Sequence, residues 1–157
     1  KICFIFAGSG PKLNYLKKNS QDLKNFCVLE WVNGQDLVYL LSKCHVGLLP
    51  YKNSKDFSFS FSNKFPEYLS YGLVCACGVE GEMSKLVNKH NCGFFYNTED
   101  KRDLGVKLSR LVDDKKIIKN FSKNAISLHD MMFNSEVIFN KFANHLELIS
   151  EIQKDEL

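Results

Sequence analysis

Short, uniformly apolar runs alternate with stretches of helical period through the first two thirds of the chain, and then the runs stop. The runs are residues 2–6 (Ile-Cys-Phe-Ile-Phe), 46–49, 73–77 and 93–96, with a further strand over 26–31 that is apolar except for Glu30. Runs this short and this uniformly apolar read as strands buried on both faces, since half-exposed strands alternate polar with apolar positions. The segments between them read as helices. Leu13 and Leu16 mark one to about Asn19, with Pro11 suited to its first position. Leu37, Leu40 and Leu41 mark a second over Gln35–Lys43. A third covers 63–71, capped by Ser60 or Ser62 and closed by Gly72. A fourth covers Glu82–His90. Residues 51–61 form a serine-rich polar loop, longer than a plain connection needs. Strand–helix alternation of this kind predicts an α/β fold: a Rossmann-like parallel sheet of about five strands with helices on both faces. Beyond residue 98 the pattern is helical only. Leu104, Leu108, Leu111 and Val112 share one face, a second helix runs from about Lys115 to Ser127, and the last keeps Ile138, Phe142, Leu146 and Ile149 on one side.

Length and composition narrow the class. A chain of 157 residues is one domain, and an apolar content of 45% makes it globular. The net charge of +3 is mild, and the lysines are spread along the chain, so no nucleic-acid stripe is expected. No apolar run approaches the roughly 20 residues that span a bilayer. Six cysteines include no Cys-x-x-Cys pair. Cys3, Cys27, Cys44, Cys75 and Cys77 sit in apolar runs and read as buried free thiols of a reducing compartment. No metal site is expected, because zinc needs about four convergent ligands. The reading is cytoplasmic. The terminal Lys154-Asp155-Glu156-Leu157 has the form of an endoplasmic-reticulum retention signal, here read as coincidence.

The candidate chemistry lies in the loops that follow the strands, because ligands of open parallel sheets bind outside the carboxyl ends of strands. Gly8-Ser9-Gly10 follows the first run and suits a turn that lets backbone approach a ligand. A dinucleotide fingerprint would need a third glycine, and Leu13 stands in its place. Glu30 does lie at the distance of that fingerprint's acid, so a dinucleotide-binding or nucleotide-binding domain without transfer chemistry stays open. Ser62, Asn63 and Lys64 open the third helix, whose free N–H groups suit a phosphate. Glu67, one turn on, is placed to take a sugar hydroxyl. Glu80 and Glu82 follow the fourth run, and one of them is expected to line the site. Phe57, Phe59 and Phe61 alternate with serines as an aromatic lip or a strand edge.

Val46-Gly47-Leu48-Leu49-Pro50-Tyr51, followed by Ser-Asn-Lys-x-x-Glu-Tyr-Leu-x-x-Gly at 62–72, resembles the donor-binding half of a retaining family 4 glycosyltransferase of the GT-B fold. Gly8-Ser9-Gly10-Pro11, Glu82 and His90–Phe95 match further pieces in the same order. The resemblance implies a domain that binds a nucleotide-diphosphate sugar, metal-independent, serving an enzyme that transfers the sugar to a glycan or lipid-linked acceptor. It gives Glu67 the ribose hydroxyls, Val32 the nucleobase, and Ser62, Asn63 and Lys64 the diphosphate. It also implies that an N-terminal acceptor domain and a first strand–helix unit, with the family's basic pair, lie outside residues 1–157. Peripheral membrane association of the whole enzyme is compatible with it. One departure stands out: many family members carry a sugar-contacting glutamate eight residues before the one matched by Glu67, and that position is Phe59 here.

Overall fold

The computed structural model describes residues 1–155, with side chains through Ser150. Glu156 and Leu157, half of the terminal retention-like tetrapeptide, lie outside the described residues. The elements run β1 (Phe4–Ala7), α1 (Leu13–Ser20), β2 (Phe26–Leu29), α2 (Gly34–Lys43), β3 (Val46–Leu49), α3 (Lys55–Ser58), α4 (Lys64–Ser70), β4 (Val74–Cys77), α5 (Glu82–Lys89), β5 (Gly93–Phe95), α6 (Asp103–Asp113), α7 (Lys115–Met132) and α8 (Ser135–Asp155). Every strand pairing is parallel: Phe4 opposite Phe26, Val46 opposite Val74, and Ala76 opposite Phe94. The α/β class, the helices on both faces and the helical end all agree with the sequence.

The strands form two ladders instead of the single sheet expected: β1-β2, and separately β3-β4-β5. The larger ladder holds the core, because successive side chains of a strand point to opposite faces. On one face Leu49, Cys75 and Cys77 meet Phe65 and Leu69 of α4, Met83 and Val87 of α5, and Ala125 and Leu128 of α7. On the other, Val74 and the half-buried Val46 and Phe94 meet Leu108 and Leu111 of α6 and Phe121 of α7. All four residues of β4 are buried, as a central parallel strand requires.

The smaller ladder is poorly covered. Ile5 and Phe6 of β1 are 44% and 47% exposed. This corrects the cysteine reading: Cys75, Cys77 and Cys92 are buried, whereas Cys3 and Cys27 are exposed and Cys44 is half-buried. An apolar run marks a strand, but only a neighbouring layer buries it.

Two boundaries also differ. The loop over 51–61 contains the single turn α3, closed by N–H groups of Phe57 and Ser58 on the Ser54 carbonyl. Helix α7 runs on past Ser127 to Met132, because Ala125 and Leu128 extend its buried stripe. Helix α8 is exposed over most of its described length, with Phe139 67% and Phe142 59% accessible.

Candidate functional site

Every residue singled out for binding lies on a loop or first helical turn that follows a strand. Gly8, Ser9 and Gly10 follow β1, Val32 follows β2, Ser62, Asn63, Lys64 and Glu67 lie between β3 and β4, and Glu80 and Glu82 follow β4. Parallel pairing puts each group at the carboxyl edge of its own ladder.

At the β1 turn, Gly8 and Gly10 have φ of 153° and 155°, where side chains are rarely tolerated. Nothing lies within 4 Å of where a Cβ would stand at either, so this backbone is open to a ligand. The Gly8 N–H donates to Glu30 O at 3.2 Å, which ties the turn to the end of β2. Glu30 itself accepts from Lys17 Nζ at 2.7 Å, and that hydrogen bond holds its carboxyl below the usual range. The acid that a dinucleotide site would aim at a ribose is thus already engaged by a cation. Val32 is half-buried beside the exposed Trp31.

At the start of α4, Ser62 is the pivot. Its Oγ accepts the Lys64 N–H at 3.2 Å and lies 2.5 Å from the Tyr51 hydroxyl, while its carbonyl accepts the Phe65 N–H at 2.9 Å. Of the amides assigned to a diphosphate from sequence, the Lys64 N–H is therefore used within the protein. Asn63 and Lys64 are exposed and Glu67 is half-buried. Among the described residues neither the Lys64 ammonium nor the Glu67 carboxylate has a hydrogen-bond or ion-pair partner, so both are free for a ligand. Burial, and then the Glu67 carboxylate, push the Tyr68 phenol up to about 12, so it stays protonated.

The three alternating phenylalanines separate into different roles. Phe57 stacks on Tyr51 with ring centroids 5.1 Å apart. Phe61 packs with Phe65 and with Phe133, which closes α7, and Phe65 meets Phe133 edge-on at 5.7 Å. Phe59 makes no such stack and is the most exposed of the three, at 79%.

The loops after β3 and β4 are fastened together. The Glu80 N–H donates to Asn53 Oδ1 at 3.3 Å, and a Cβ on Gly81 would stand 2.2 Å from the Ser58 carbonyl oxygen. Here too lies a cavity of about 220 Å³, lined by Asn53, Gly78, Glu80, Phe95, Asn97, Thr98 and Glu99. Of the predicted residues only Glu80 borders it. Glu82 instead pairs with Lys85 at 2.8 Å along α5. Asn53, Asn97, Thr98 and Glu99 were missed from sequence; their position just past predicted strands was the available signal. The predicted residues are divided between the two ladders: Gly8 and Val32 follow strands of the smaller, and Lys64 and Glu67 lie between strands of the larger. Among the described residues no three of His, Cys, Asp and Glu converge as metal ligands would.

A family model described as glycosyl transferases group 1 matches residues 1–114. The chain belongs to this family. The fold of this glycosyltransferase domain is also that of several solved structures. Sucrose-phosphate synthase (tll1590) from Thermosynechococcus elongatus superposes with a TM-score of 0.76 at 15% identity, covering 94% of this chain and 38% of that one. HepE (Alr3699) of Anabaena in complex with UDP gives 0.76 at 16% identity, covering 93% and 41%. WaaG, a glycosyltransferase involved in lipopolysaccharide biosynthesis, gives 0.66 at 15%, covering 83% and 34%. This chain thus spans well under half the length of the solved chains it matches. No curated protein matches it. Among the described residues no helix is long and apolar enough to cross a membrane.

Proposed function

We propose that residues 1–157 are the donor-binding half of a retaining family 4 glycosyltransferase, taking a nucleoside diphosphate sugar and serving transfer to a glycan or lipid-linked acceptor. The carrying observation is the free Lys64–Glu67 pair in the first turn of α4, at the carboxyl edge, within the segment that the glycosyltransferase family matches. In this reading the open Gly8-Ser9-Gly10 backbone and the start of α4 approach the diphosphate, with Asn63 and Lys64 supplying donors. Lys64 offsets charge that grows on the departing diphosphate. Glu67 takes ribose hydroxyls, Val32 lies against the base, and Glu80 lines the edge nearer the transferred sugar. HepE, similar in fold, has been solved with UDP and with UDP-glucose, which favours a uridine donor. The protein's own amides and lysine do this work without a metal. The acceptor is held by polypeptide outside residues 1–157, in an enzyme of the cytoplasm that associates peripherally with the membrane.

The experiment is a thermal shift and calorimetric titration with UDP, UDP-glucose and GDP against NAD and NADP. Stabilisation by a nucleoside diphosphate alone is the expected outcome. Stabilisation by the dinucleotides alone would instead establish the binding domain without transfer chemistry.

A further inference from the structure

The cavity at the carboxyl ends of β3, β4 and β5 is walled by loops that are fastened to one another. The Glu80 N–H, after β4, donates to Asn53 Oδ1, after β3, at 3.3 Å. After β5, the Glu99 N–H donates to Asn97 Oδ1 at 2.9 Å, and the Asn97 N–H to Asp103 Oδ2 at 2.8 Å. Lys107 clamps the root of that loop by donating to both the Phe95 carbonyl and Asp103. A Cβ on Gly78 would stand 2.7 Å from Thr98 Cγ2 and 3.0 Å from the Tyr96 hydroxyl, so the loops after β4 and β5 meet where only glycine fits. Walls held in this way keep their shape without a ligand, which lowers the ordering cost of binding one.

The bonds that hold the walls also decide what they offer. The side-chain oxygens of Asn53 and Asn97 are taken by backbone N–H groups, and their amide NH2 groups have no partner among the described residues. Nor, among those residues, have the Thr98 hydroxyl or the carboxylates of Glu80 and Glu99. The lining thus presents two amide donors, a hydroxyl that both donates and accepts, and two carboxylates that only accept. Phe95 is the one apolar side chain among them.

This set selects by charge and by size. Two carboxylates and no lysine or arginine in the lining repel an anion. A metal ion is not served, since no three of His, Cys, Asp and Glu converge among the described residues. An apolar ligand would desolvate the polar side chains without replacing their hydrogen bonds. A small neutral molecule with several hydroxyls satisfies every group, because each hydroxyl both donates and accepts. The volume of about 220 Å³ is that of about seven waters and lies below the roughly 300–1,000 Å³ of pockets for larger ligands. That is room for one sugar ring and not for a nucleotide.

We propose that this cavity is a saccharide subsite for a single neutral pyranose, whose hydroxyls donate to Glu80 and Glu99 and accept from Asn53, Asn97 and Thr98. The ring is either the sugar of the nucleotide donor or a residue of a separate glycan; only the first source rests on the donor reading given above. Asn53 stands in the loop that leads on to Ser62 and Lys64, so a ring held here lies along the same ladder edge as the start of α4.

Amide chemical shifts of residues 1–157, followed by NMR, test this with UDP, UDP-glucose, methyl glucoside, methyl galactoside and glucose 6-phosphate. The amides of Asn53, Glu80, Thr98 and Glu99 should move with a neutral sugar and stay still with UDP alone. Movement with UDP-glucose only assigns the ring to the donor; movement with a methyl glycoside, and less with the anionic glucose 6-phosphate, assigns it to a glycan. No movement with any sugar, or equal movement with UDP, overturns the proposal. Thr98→Val and Glu99→Gln each remove a group with no partner in the protein, so melting should be unchanged. The dissociation constant for the responding sugar should rise roughly three- to tenfold in each. Unchanged affinity in both also overturns the proposal. The Lys64 and Glu67 amides, read in the same spectra, separate the two ideas. UDP bound there with the cavity silent toward every sugar sinks the saccharide subsite and leaves the donor reading standing. A cavity that answers a methyl glycoside in a protein that ignores UDP does the reverse.

Discussion

Glu67 is the residue on which the donor reading can be tested at least structural cost. It is half-buried and has no protein partner among the described residues, so removing its carboxylate strands nothing in the folded chain. Glu67→Ala should weaken binding of the nucleoside diphosphate by roughly 1–3 kcal/mol, the range for a hydrogen bond to a charged group. Calorimetry should show this loss while the melting temperature of the free protein barely moves. A large drop in melting temperature would show that Glu67 serves the fold instead. The cysteines give a second test at this scale. Burial pushes the Cys77 thiol up to about 12 and Cys92 up to about 11, and Cys75 is raised as well. Cys3 and Cys27 are exposed. Because the thiolate is the reacting form, alkylation of the native protein should modify Cys3 and Cys27 first and spare the buried three until unfolding, as read by peptide mass spectrometry. The sequence could not have separated these two groups. Cys27 and Cys75 both sit in apolar strands, and what distinguishes them is whether helices cover the strand.

Among the elements, the β5–α6 connection carries the clearest pH dependence. Lys107 Nζ donates to Asp103 Oδ2 at 2.6 Å, the Asn97 N–H donates to the same oxygen at 2.8 Å, and Lys107 also reaches the Phe95 carbonyl at 2.8 Å. The Lys107 hydrogen bond, followed by the Asn97 N–H, holds the Asp103 carboxyl below its ordinary value. A depressed pKa contributes stability that is complete above the unfolded value, about 3.9, and is lost as pH falls through the lower folded value. Melting temperature should therefore fall more steeply as pH drops below about 4 in the native protein than in Asp103→Asn, which lacks the titrating group. The same turn also positions Asn97, Thr98 and Glu99 on the cavity wall. Elements were largely legible from periodicity: the strand runs, the helix over 63–71 and the closing Gly72 all lie within a residue or two of their places. The single turn α3 was not, because Lys-Asp-Phe-Ser has no period to show. The site was legible as a set of loops but not as a geometry. Sequence spacing names residues at a sheet edge, but only the coordinates show that Glu82 turns to Lys85 while Glu80 faces the cavity.

At the scale of the molecule, the candidate residues are shared between the carboxyl edges of two ladders that no pairing joins. Transfer requires donor and acceptor held together and shielded from water. On the proposed reading, residues 1–157 alone should bind nucleotide weakly and turn over no sugar. A radiolabelled transfer assay on this domain checks this, and measurable turnover would show that it carries a complete site. Phe139 and Phe142 leave apolar surface exposed on α8. That helix has a mechanical consequence. Phe133 sits at the corner from which α8 departs, and its ring meets Phe61 and Phe65 at 6.1 and 5.7 Å. Close-packed rings transmit displacement without absorbing it. With its 21 residues, α8 is a lever about 30 Å long whose fulcrum rests on the first turn of α4. Phe133→Ala should therefore loosen the start of α4 as well as the root of α8, read as faster amide exchange in both.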